Sequence, residues 1–203
     1  MNKIFGLLAP AVALTAAAVA GTGAVAAQAA PAPASHAGSH AGSHVVKPFD
    51  GVFEPIRNVG NNLCLEPTQP AGPNSPVLQE PCAQPGTPGN DFILQGWQTI
   101  QLSGSTYKFI NNGSGACLFA FTSAHNGAPM GLDTCRNVSN EEFDAHTTLP
   151  NVSVLESKIG FSDTGFCMDV PGASANTGLQ LQLFNCNGTL AQRWVIGFPP
   201  PAP

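Results

Sequence analysis

The sequence predicts an all-β domain that contains three copies of one unit of about 50 residues. The first observation is composition, because 22 Gly and 19 Pro among 203 residues are typical of many turns and short strands rather than long helices. The second is the spacing of six cysteines. They form three pairs separated by 18 or 19 positions, and equivalent cysteines recur every 50 to 53 residues. The third is an alternation of apolar residues in each copy.

The alternation lies just before the second cysteine of each pair. Apolar residues occur five positions before it in every copy, at Val77, Met130 and Leu181, and two copies also have Leu132 and Leu183 three positions before it. Such alternation is typical of a half-buried strand. A single copy of this length cannot bury its apolar face alone, so we expect the three copies to share one core.

The repeat also predicts the disulfides. Six cysteines allow fifteen pairings, but each copy carries its own pair at nearly constant spacing. We therefore expect the links Cys64–Cys82, Cys117–Cys135 and Cys167–Cys186. Each should stabilise the fold by roughly 3 kcal/mol in the chain-entropy model.

The segments around the first cysteines align with one another. Residues 56–66 correspond to residues 109–119 and to residues 159–169, which places Ile159 of the third copy opposite Ile56 of the first.

The N-terminus is predicted to be a secretory signal peptide over residues 1–29. Lys3 precedes an apolar run over residues 4–20, and Ala27-Gln28-Ala29 is a small-residue cleavage site. A membrane span is the less favoured alternative, because the run is rich in Ala and ends in that site. Export to an oxidising compartment favours disulfides over metal ligation for the six cysteines.

The remaining organisation follows from composition. Residues 30–49 are rich in Ala, Ser, His, Gly and Pro and are predicted to be a disordered linker, and residues 198–203 a Pro-rich tail. The domain is then expected over residues 50–197, with repeats at about 50–104, 105–150 and 151–197.

Three histidines recur every four residues in the linker, at His36, His40 and His44. A transition-metal site is one interpretation. A flexible spacer is favoured, because no cysteine or carboxylate is interleaved to complete a ligand set.

Charge argues against several partners. The formal net charge is −5, and only 9% of residues are charged. Without residues 1–29, six Lys and Arg face twelve Asp and Glu. An acidic chain of this kind is a poor ligand for nucleic acid or an anionic membrane surface, and after the signal peptide no segment is long and apolar enough to span a bilayer.

Catalytic patterns are weak. His125 and His146 have no adjacent Ser or Cys nucleophile, and the cysteines are expected to be paired. Glu141 and Glu142 would point to opposite faces of a strand, so we interpret them as solvated charge rather than an acid–base pair. We expect no enzyme activity, no cofactor and no metal site.

The third copy resembles the ricin-type lectin family and the related family 13-like carbohydrate-binding modules. The resemblance rests on Cys167-Met168-Asp169-Val170 and on a closing Gln-x-Trp motif, present as Gln192-Arg193-Trp194 and again as Gln95-Gly96-Trp97. It covers nearly all of residues 50–197. It implies a β-trefoil with pseudo-threefold symmetry, four strands per repeat, and one shallow potential sugar pocket in each repeat.

The resemblance assigns a sugar pocket most completely to the third repeat. Asp169 matches the carboxylate that binds sugar hydroxyls, and Phe184 stands at the ring-stacking position. Gln182 and Asn187 stand where polar partners are found. Ala191 departs from the family, which often has Asn there, and the missing hydrogen bond would weaken binding by about 1 kcal/mol or more.

Gln192 is included among the predicted carbohydrate-binding residues. Together with Trp194 it is nevertheless better interpreted as structural, since the Trp of this motif packs in the core of the fold that the resemblance implies. The same packing role is expected for Gln95 and Trp97.

The first and second repeats depart from the sugar-binding pattern. At the positions of Asp169, Gln182 and Phe184, the first repeat has Glu66, Leu78 and Glu80, and the second has Phe119, Gly131 and Asp133. The first also carries about seven extra residues within 83–94, and the second has Glu141-Glu142-Phe143 in place of Gln-x-Trp. We expect both to serve as core and disulfide-linked scaffold without a sugar site.

The predicted function is a secreted, lectin-like protein whose partner is carbohydrate, bound weakly through the third repeat and of galactose or xylan type. The alternative is a degenerate trefoil that acts as a protein-interaction or inhibitor module through its loops, including the insertion between Cys82 and Asp91. Asp169 and Phe184 favour the lectin, whereas Ala191 and the two altered repeats favour the alternative. The sequence specifies no oligomeric state.

Overall fold

The structure is a computed structural model that describes residues 47–48, 52–83, 91–121, 123–136, 138–160 and 162–197. The predicted signal peptide, most of the predicted linker and the Pro-rich tail lie outside the described residues. Lys47–Pro48, at the end of the predicted linker, forms a short strand that pairs with Ile100 and Gln101 of the domain.

The described residues form short strands joined by turns. In chain order the strands are β1 (Lys47–Pro48), β2 (Ile56–Asn58), β3 (Leu63–Pro67), β4 (Val77–Pro81), β5 (Trp97–Ser103), β6 (Thr106–Asn111), β7 (Cys117–Ala120), β8 (Ala128–Asp133), β9 (Phe143–Ala145), β10 (Leu155–Ser157), β11 (Phe166–Asp169), β12 (Leu179–Gln180), β13 (Gln182–Asn185) and β14 (Trp194–Ile196). Helix α1 spans Asp91–Gln95, and 3-10 helices span Ser139–Glu141, Pro171–Ala173 and Leu190–Gln192. With β1 set aside and β12 and β13 counted as one interrupted strand, each repeat has four strands.

The fourth strand of each repeat pairs antiparallel with the first strand of the next. These junctions are β5 with β6, β9 with β10, and β14 with β2, so the last repeat returns to the first. The register is the same at each junction, where Trp97 lies opposite Asn111, Phe143 opposite Ser157 and Trp194 opposite Asn58. The fold is therefore a β-trefoil with pseudo-threefold symmetry, as the resemblance implied.

The second and third strands of each repeat form a hairpin. The hairpins are β3–β4, β7–β8 and β11–β13, and each carries one of the three predicted disulfides with its Cα atoms 5.0 Å apart. The hairpins also contact one another, because β12 pairs with β4 and β13 pairs with β8. The predicted disulfide pairing is confirmed.

The core forms where the three repeats meet. Val77, Met130 and Leu181, at equivalent positions of the three hairpins, are all fully buried. This burial confirms the alternation that predicted one shared core.

The two Gln-x-Trp motifs place their indoles in this core. Trp97 is 0% exposed and Trp194 is 1% exposed. Trp97 Nε1 donates to the Leu65 carbonyl oxygen at 3.1 Å, and Trp194 Nε1 donates to that of Met168 at 3.0 Å. Both acceptors directly follow the first cysteine of their repeat. The hydrogen bonds satisfy the one polar atom of each buried ring, and the predicted packing role is confirmed.

The structure corrects the alignment of the third copy. Leu155, not Ile159, takes the place of Ile56, because Leu155 pairs with Ala145 as Ile56 pairs with Ile196. Leu155 is fully buried, whereas Ile159 is only partly buried. The turn between β10 and β11 is four residues longer than the turn between β2 and β3. Ile159 lies within this longer turn, and its apolar side chain matched the position of Ile56 in the sequence repeat.

The interpretation of Glu141 as solvated charge is wrong. Its side chain is 0% exposed, and Oε2 lies 2.8 Å from Lys108 Nζ, whose side chain is also buried. Glu141 Oε1 accepts from the backbone N–H of Arg136 at 2.7 Å. Glu141 occupies the position of the motif glutamine, so it must be buried to receive that backbone N–H, and Lys108 compensates its charge.

Candidate functional site

A cavity of about 220 Å³ opens beside the third-repeat hairpin. Its lining comprises Asp169, Val170, Gly172, Ala173, Gln182, Phe184, Asn187, Thr189 and Ala191. Four of the five sequence-predicted site residues are therefore brought together, and Gln192 is the exception. Their role as sugar ligands stays a prediction.

Hairpin register positions the polar and aromatic groups. Asp169 at the end of β11 lies directly opposite Gln182 on β13. Phe184 lies two residues further along β13, and side chains two apart on a strand share a face. The hairpin thus presents a carboxylate, an amide and a ring towards one side.

The remaining wall comes from two turns, of which the sequence indicated the second, through Asn187 and Ala191, but not the first. One is the 3-10 helix Pro171–Ala173, where Gly172 has a φ of 62°, a conformation that favours glycine. The other is the loop before the 3-10 helix Leu190–Gln192, where Asn187 Oδ1 accepts from the N–H and hydroxyl of Thr189 at 3.0 and 2.7 Å. The Pro-Gly pair directly after Val170 was the signal for the first turn.

Asp169 forms the floor of the cavity and is 5% exposed. Its Oδ1 accepts a hydrogen bond from Gln182 Nε2 at 2.8 Å. Burial raises the pKa of the Asp169 carboxyl, and hydrogen bonds from Gln182 and Gln192 partly oppose that rise. An ionised carboxylate held in this way retains lone pairs that can accept hydroxyl groups from a ligand.

Gln192 lies behind the cavity and is 0% exposed. Its Oε1 accepts from the backbone N–H of Asn187 at 2.8 Å and of Gly188 at 3.3 Å, and its Nε2 donates to the Asn185 carbonyl oxygen at 2.9 Å. These contacts hold the 185–188 loop against the hairpin. The geometry fits the structural interpretation of Gln192, which positions Asn187 and Asp169 rather than lining the cavity.

In the second repeat, the equivalent space is filled. Phe119 lies opposite Gly131, as Asp169 lies opposite Gln182. The ring of Phe121 lies over Gly131, so a Cβ at that glycine would be 2.2 Å from Phe121 Cε2 and 2.6 Å from the Ser75 carbonyl oxygen. The Phe119 and Phe121 rings pack edge to face with centroids 5.7 Å apart. Aromatic side chains therefore replace the polar cavity.

In the first repeat, the carboxylate is engaged within the protein. Glu66 lies opposite Leu78, and its Oε2 accepts from Gln95 Nε2 at 2.7 Å. Helix α1 packs against β3, the strand that carries Glu66, where the other two repeats have a 3-10 helix. Glu66 is thus directed towards the motif glutamine beneath it.

A histidine, a carboxylate and a cysteine also approach one another in the described part of the chain. His146, Glu156 and Cys167 have potential ligand atoms within 4.8 Å of one another. The Cys167 sulfur is bonded to Cys186, so it is not a thiolate that could bind a metal ion. No helix in the described residues is both long enough and apolar enough to cross a membrane.

Comparisons with known proteins assign this chain to a family and show which solved structures share its fold. The model of the ricin-type β-trefoil lectin domain matches residues 52–194. Among curated proteins no match was found. Solved structures show the same fold. ThreeFoil, a designed threefold-symmetric protein, matches with a TM-score of 0.61 and 19% identity, over 72% of this chain and 99% of ThreeFoil.

Two natural proteins are also similar in structure. An exo-β-1,3-galactanase from Clostridium thermocellum matches with a TM-score of 0.62 and 17% identity, over 75% of this chain and 31% of the galactanase chain. A ricin B-like lectin from Macrolepiota procera, solved in complex with lactose, matches with a TM-score of 0.56 and 17% identity, over 72% of this chain and 95% of the lectin. With its own sequence matching the family model over most of its length, the chain belongs to the ricin-type β-trefoil lectin family.

Proposed function

We propose that the protein is a secreted lectin that binds sugars of galactose or xylan type through the third-repeat cavity. The observation that carries the proposal is the convergence of Asp169, Gln182, Phe184 and Asn187 on one cavity. The first repeat has Leu78 and Glu80 in place of the amide and the ring, and Phe121 fills the equivalent space of the second, so we assign one sugar site per chain.

The chemistry of the cavity suits a sugar. Adjacent hydroxyls of a pyranose need an acceptor that can take more than one hydrogen bond, which Asp169 provides. Gln182 and Asn187 add amide groups that can orient the ring. The apolar C–H face of a pyranose packs well on an aromatic ring, and Phe184 is partly exposed at the cavity wall.

The choice of sugar draws on relatives. The Macrolepiota procera lectin is described with lactose, and the Clostridium thermocellum protein is named as a galactanase. Both names support a galactose-containing ligand for this chain. Xylan-type sugars follow from the resemblance to family 13-like modules and are the second class to be tested.

The domain boundaries are part of the proposal. We assign residues 1–29 to a signal peptide, 30–49 to a linker, 50–197 to the trefoil and 198–203 to a tail. Three disulfides support export, because such bonds persist in oxidising compartments. Mass spectrometry of the protein recovered from culture medium should show a chain that begins at residue 30. Intact protein with Met1 retained in the cytoplasm would contradict this assignment.

Binding is expected to be weak. A shallow cavity with few hydrogen bonds and one ring face should give a Kd on the order of 0.1 to 10 mM, or roughly 3 to 5.5 kcal/mol. Useful avidity would then come from several copies acting together.

Isothermal titration with galactose, lactose and xylobiose tests the function. We expect saturation with one sugar per chain for at least one of these ligands. A stoichiometry of two or three would contradict the assignment to the third repeat alone. No binding of these sugars or on a glycan array would favour the alternative function, a protein-interaction or inhibitor module.

A further inference from the structure

A second cavity, of about 350 Å³, lies at the junction of the second and third repeats. It is lined by His146, Thr147, Val152, Ser153, Val154 and Arg193. The backbone around it is fixed, because Ser153 and Trp194 exchange two backbone hydrogen bonds of 2.8 Å. The cavity shares no lining residue with the one around Asp169.

Arg193 is the cation of this cavity. Its Nε donates to the Gly188 carbonyl oxygen at 3.1 Å, which anchors the guanidinium and leaves its two terminal NH₂ groups as donors. Among the described residues, Lys108, Arg136 and Lys158 form ion pairs with carboxylates, and Arg193 does not. An anchored guanidinium outside those pairs suits a carboxylate, which it can bind with two parallel hydrogen bonds.

The carboxylate of Glu156, beside the cavity, already has hydrogen-bond partners within the protein. Glu156 Oε2 lies 2.8 Å from His146 Nε2, and Glu156 Oε1 accepts from the backbone N–H of Gly165 at 2.6 Å. The hydroxyls of Thr147 and Ser153 donate to backbone carbonyls at 2.7 and 3.0 Å. The Val152 and Val154 side chains supply an apolar wall next to Arg193, which suits a ring that carries the carboxylate.

Arg193 also connects this cavity to the proposed sugar site. Its anchor, Gly188, lies between Asn187 and Thr189, both of which line the cavity around Asp169. One loop therefore forms a wall of the first cavity and holds the cation of the second.

We propose that the cavity at Arg193 is a subsite for a carboxylate-bearing sugar unit, a uronic acid. The choice of a sugar over another carboxylate rests on the proposed lectin function. Arg193 binds the carboxylate through its terminal NH₂ groups, and the valine side chains contact the ring.

The test is NMR titration of the ¹⁵N-labelled exported protein with sodium glucuronate at low salt. Glucose is the neutral control, and sodium acetate is the carboxylate without a ring. We expect glucuronate to shift the amides of His146, Thr147, Ser153 and Arg193 in a saturable manner. Arg193→Gln should weaken this response about tenfold, because the bidentate charge-assisted contact is lost. Arg193→Lys, which keeps the charge without the planar fork, should weaken it less.

Arg136→Gln is the matched control, since it removes one positive charge at an exposed position paired with Asp133. It should leave the glucuronate response unchanged. Equal responses to glucuronate and glucose, equal affinity for acetate, or equal effects of Arg193→Gln and Arg136→Gln would each overturn the proposal. A wild-type protein that binds glucuronate at Arg193 but no neutral sugar would support this subsite and overturn the function proposed for the cavity around Asp169.

Discussion

The hairpins of the second and third repeats have the same backbone register but carry different side chains at equivalent positions. In the third, Asp169 opposite Gln182 lines an open polar cavity. In the second, Phe119 opposite Gly131 leaves a space that Phe121 fills. The comparison shows that the trefoil backbone preserves the place for a pocket, while two or three side chains decide whether it is open to a ligand.

The same two repeats differ at the buried glutamine position. In the third repeat, the neutral amide of Gln192 accepts a hydrogen bond from the backbone N–H of the loop. In the second repeat, the carboxylate of Glu141 accepts the equivalent hydrogen bond, and Lys108 compensates its charge. A neutral amide needs no counter-ion in the core. The second repeat therefore depends on a buried pair where the third does not.

Breaking that pair should give the largest effect. Glu141→Gln restores the motif residue but leaves Lys108 buried without its counter-ion, so we expect a loss of about 3 to 5 kcal/mol in the free energy of unfolding. The double variant Glu141→Gln with Lys108→Met should recover most of this loss. Urea denaturation measures both. A single variant as stable as the wild type would contradict the dependence on the pair.

Gly131 and Gln182 offer a matched test at equivalent positions. Gly131→Ala places a Cβ against Phe121 and the Ser75 carbonyl, so we expect a loss of about 1 to 3 kcal/mol in stability through overpacking. Gln182→Ala should change stability less and reduce sugar binding instead. Thermal unfolding and lactose titration of both variants check this. Equal thermal stability of the two variants would contradict the account of the filled space.

Substitutions of Phe184 test whether its ring contacts the sugar in the open cavity. Phe184→Ala removes the stacking face and should weaken sugar binding by about 1 kcal/mol, while Phe184→Trp enlarges that face and should strengthen it. Titration calorimetry with the same sugar measures both. Unchanged affinity in the two variants would show that the ring is not in contact with the ligand.

The buried carboxyl gives a smaller, pH-dependent effect. Since burial raises the pKa of Asp169 above its value in the unfolded chain, its contribution to stability is present at acid pH and is lost as the pH rises through the folded pKa. Asp169→Asn lacks this dependence. The variant should therefore gain stability relative to wild type between pH 3 and pH 7, as measured by calorimetry. The opposite trend would mean that the hydrogen bonds from Gln182 and Gln192 outweigh the burial.

Much of the fold was predictable because the cysteine pairs recur with one period and each pair closes within its own repeat. The choice of Asp169, Gln182 and Phe184 came instead from the resemblance to the ricin-type family, and the hairpin register places the three residues on one side. The buried alternation and the two core tryptophans repeat with the same period, so they were predictable as well.

Other features depend on contacts that no local pattern encodes. Glu141 is buried at the position of the motif glutamine, and its counter-ion comes from Lys108, 33 positions earlier in the chain. Phe121 covers Gly131 from the start of the turn after β7, where the other two repeats have Thr68 and Pro171. The longer turn after β10 contains Ile159, whose apolar side chain matched the repeat at the wrong position. Turn length and long-range pairing were therefore the sources of error.

The central claim is that sugar binds at the third repeat and not at the first. The direct test is a lactose titration, monitored by NMR, of the exported wild-type protein and of the variants Asp169→Ala and Glu66→Ala. Asp169→Ala should lose about 1.5 to 3 kcal/mol, which removes measurable binding, because the hydroxyls lose their anionic acceptor. Glu66→Ala should bind as the wild type does, since the first repeat has Leu78 and Glu80 where the third has Gln182 and Phe184. Equal titration of the wild type and Asp169→Ala would contradict the claim.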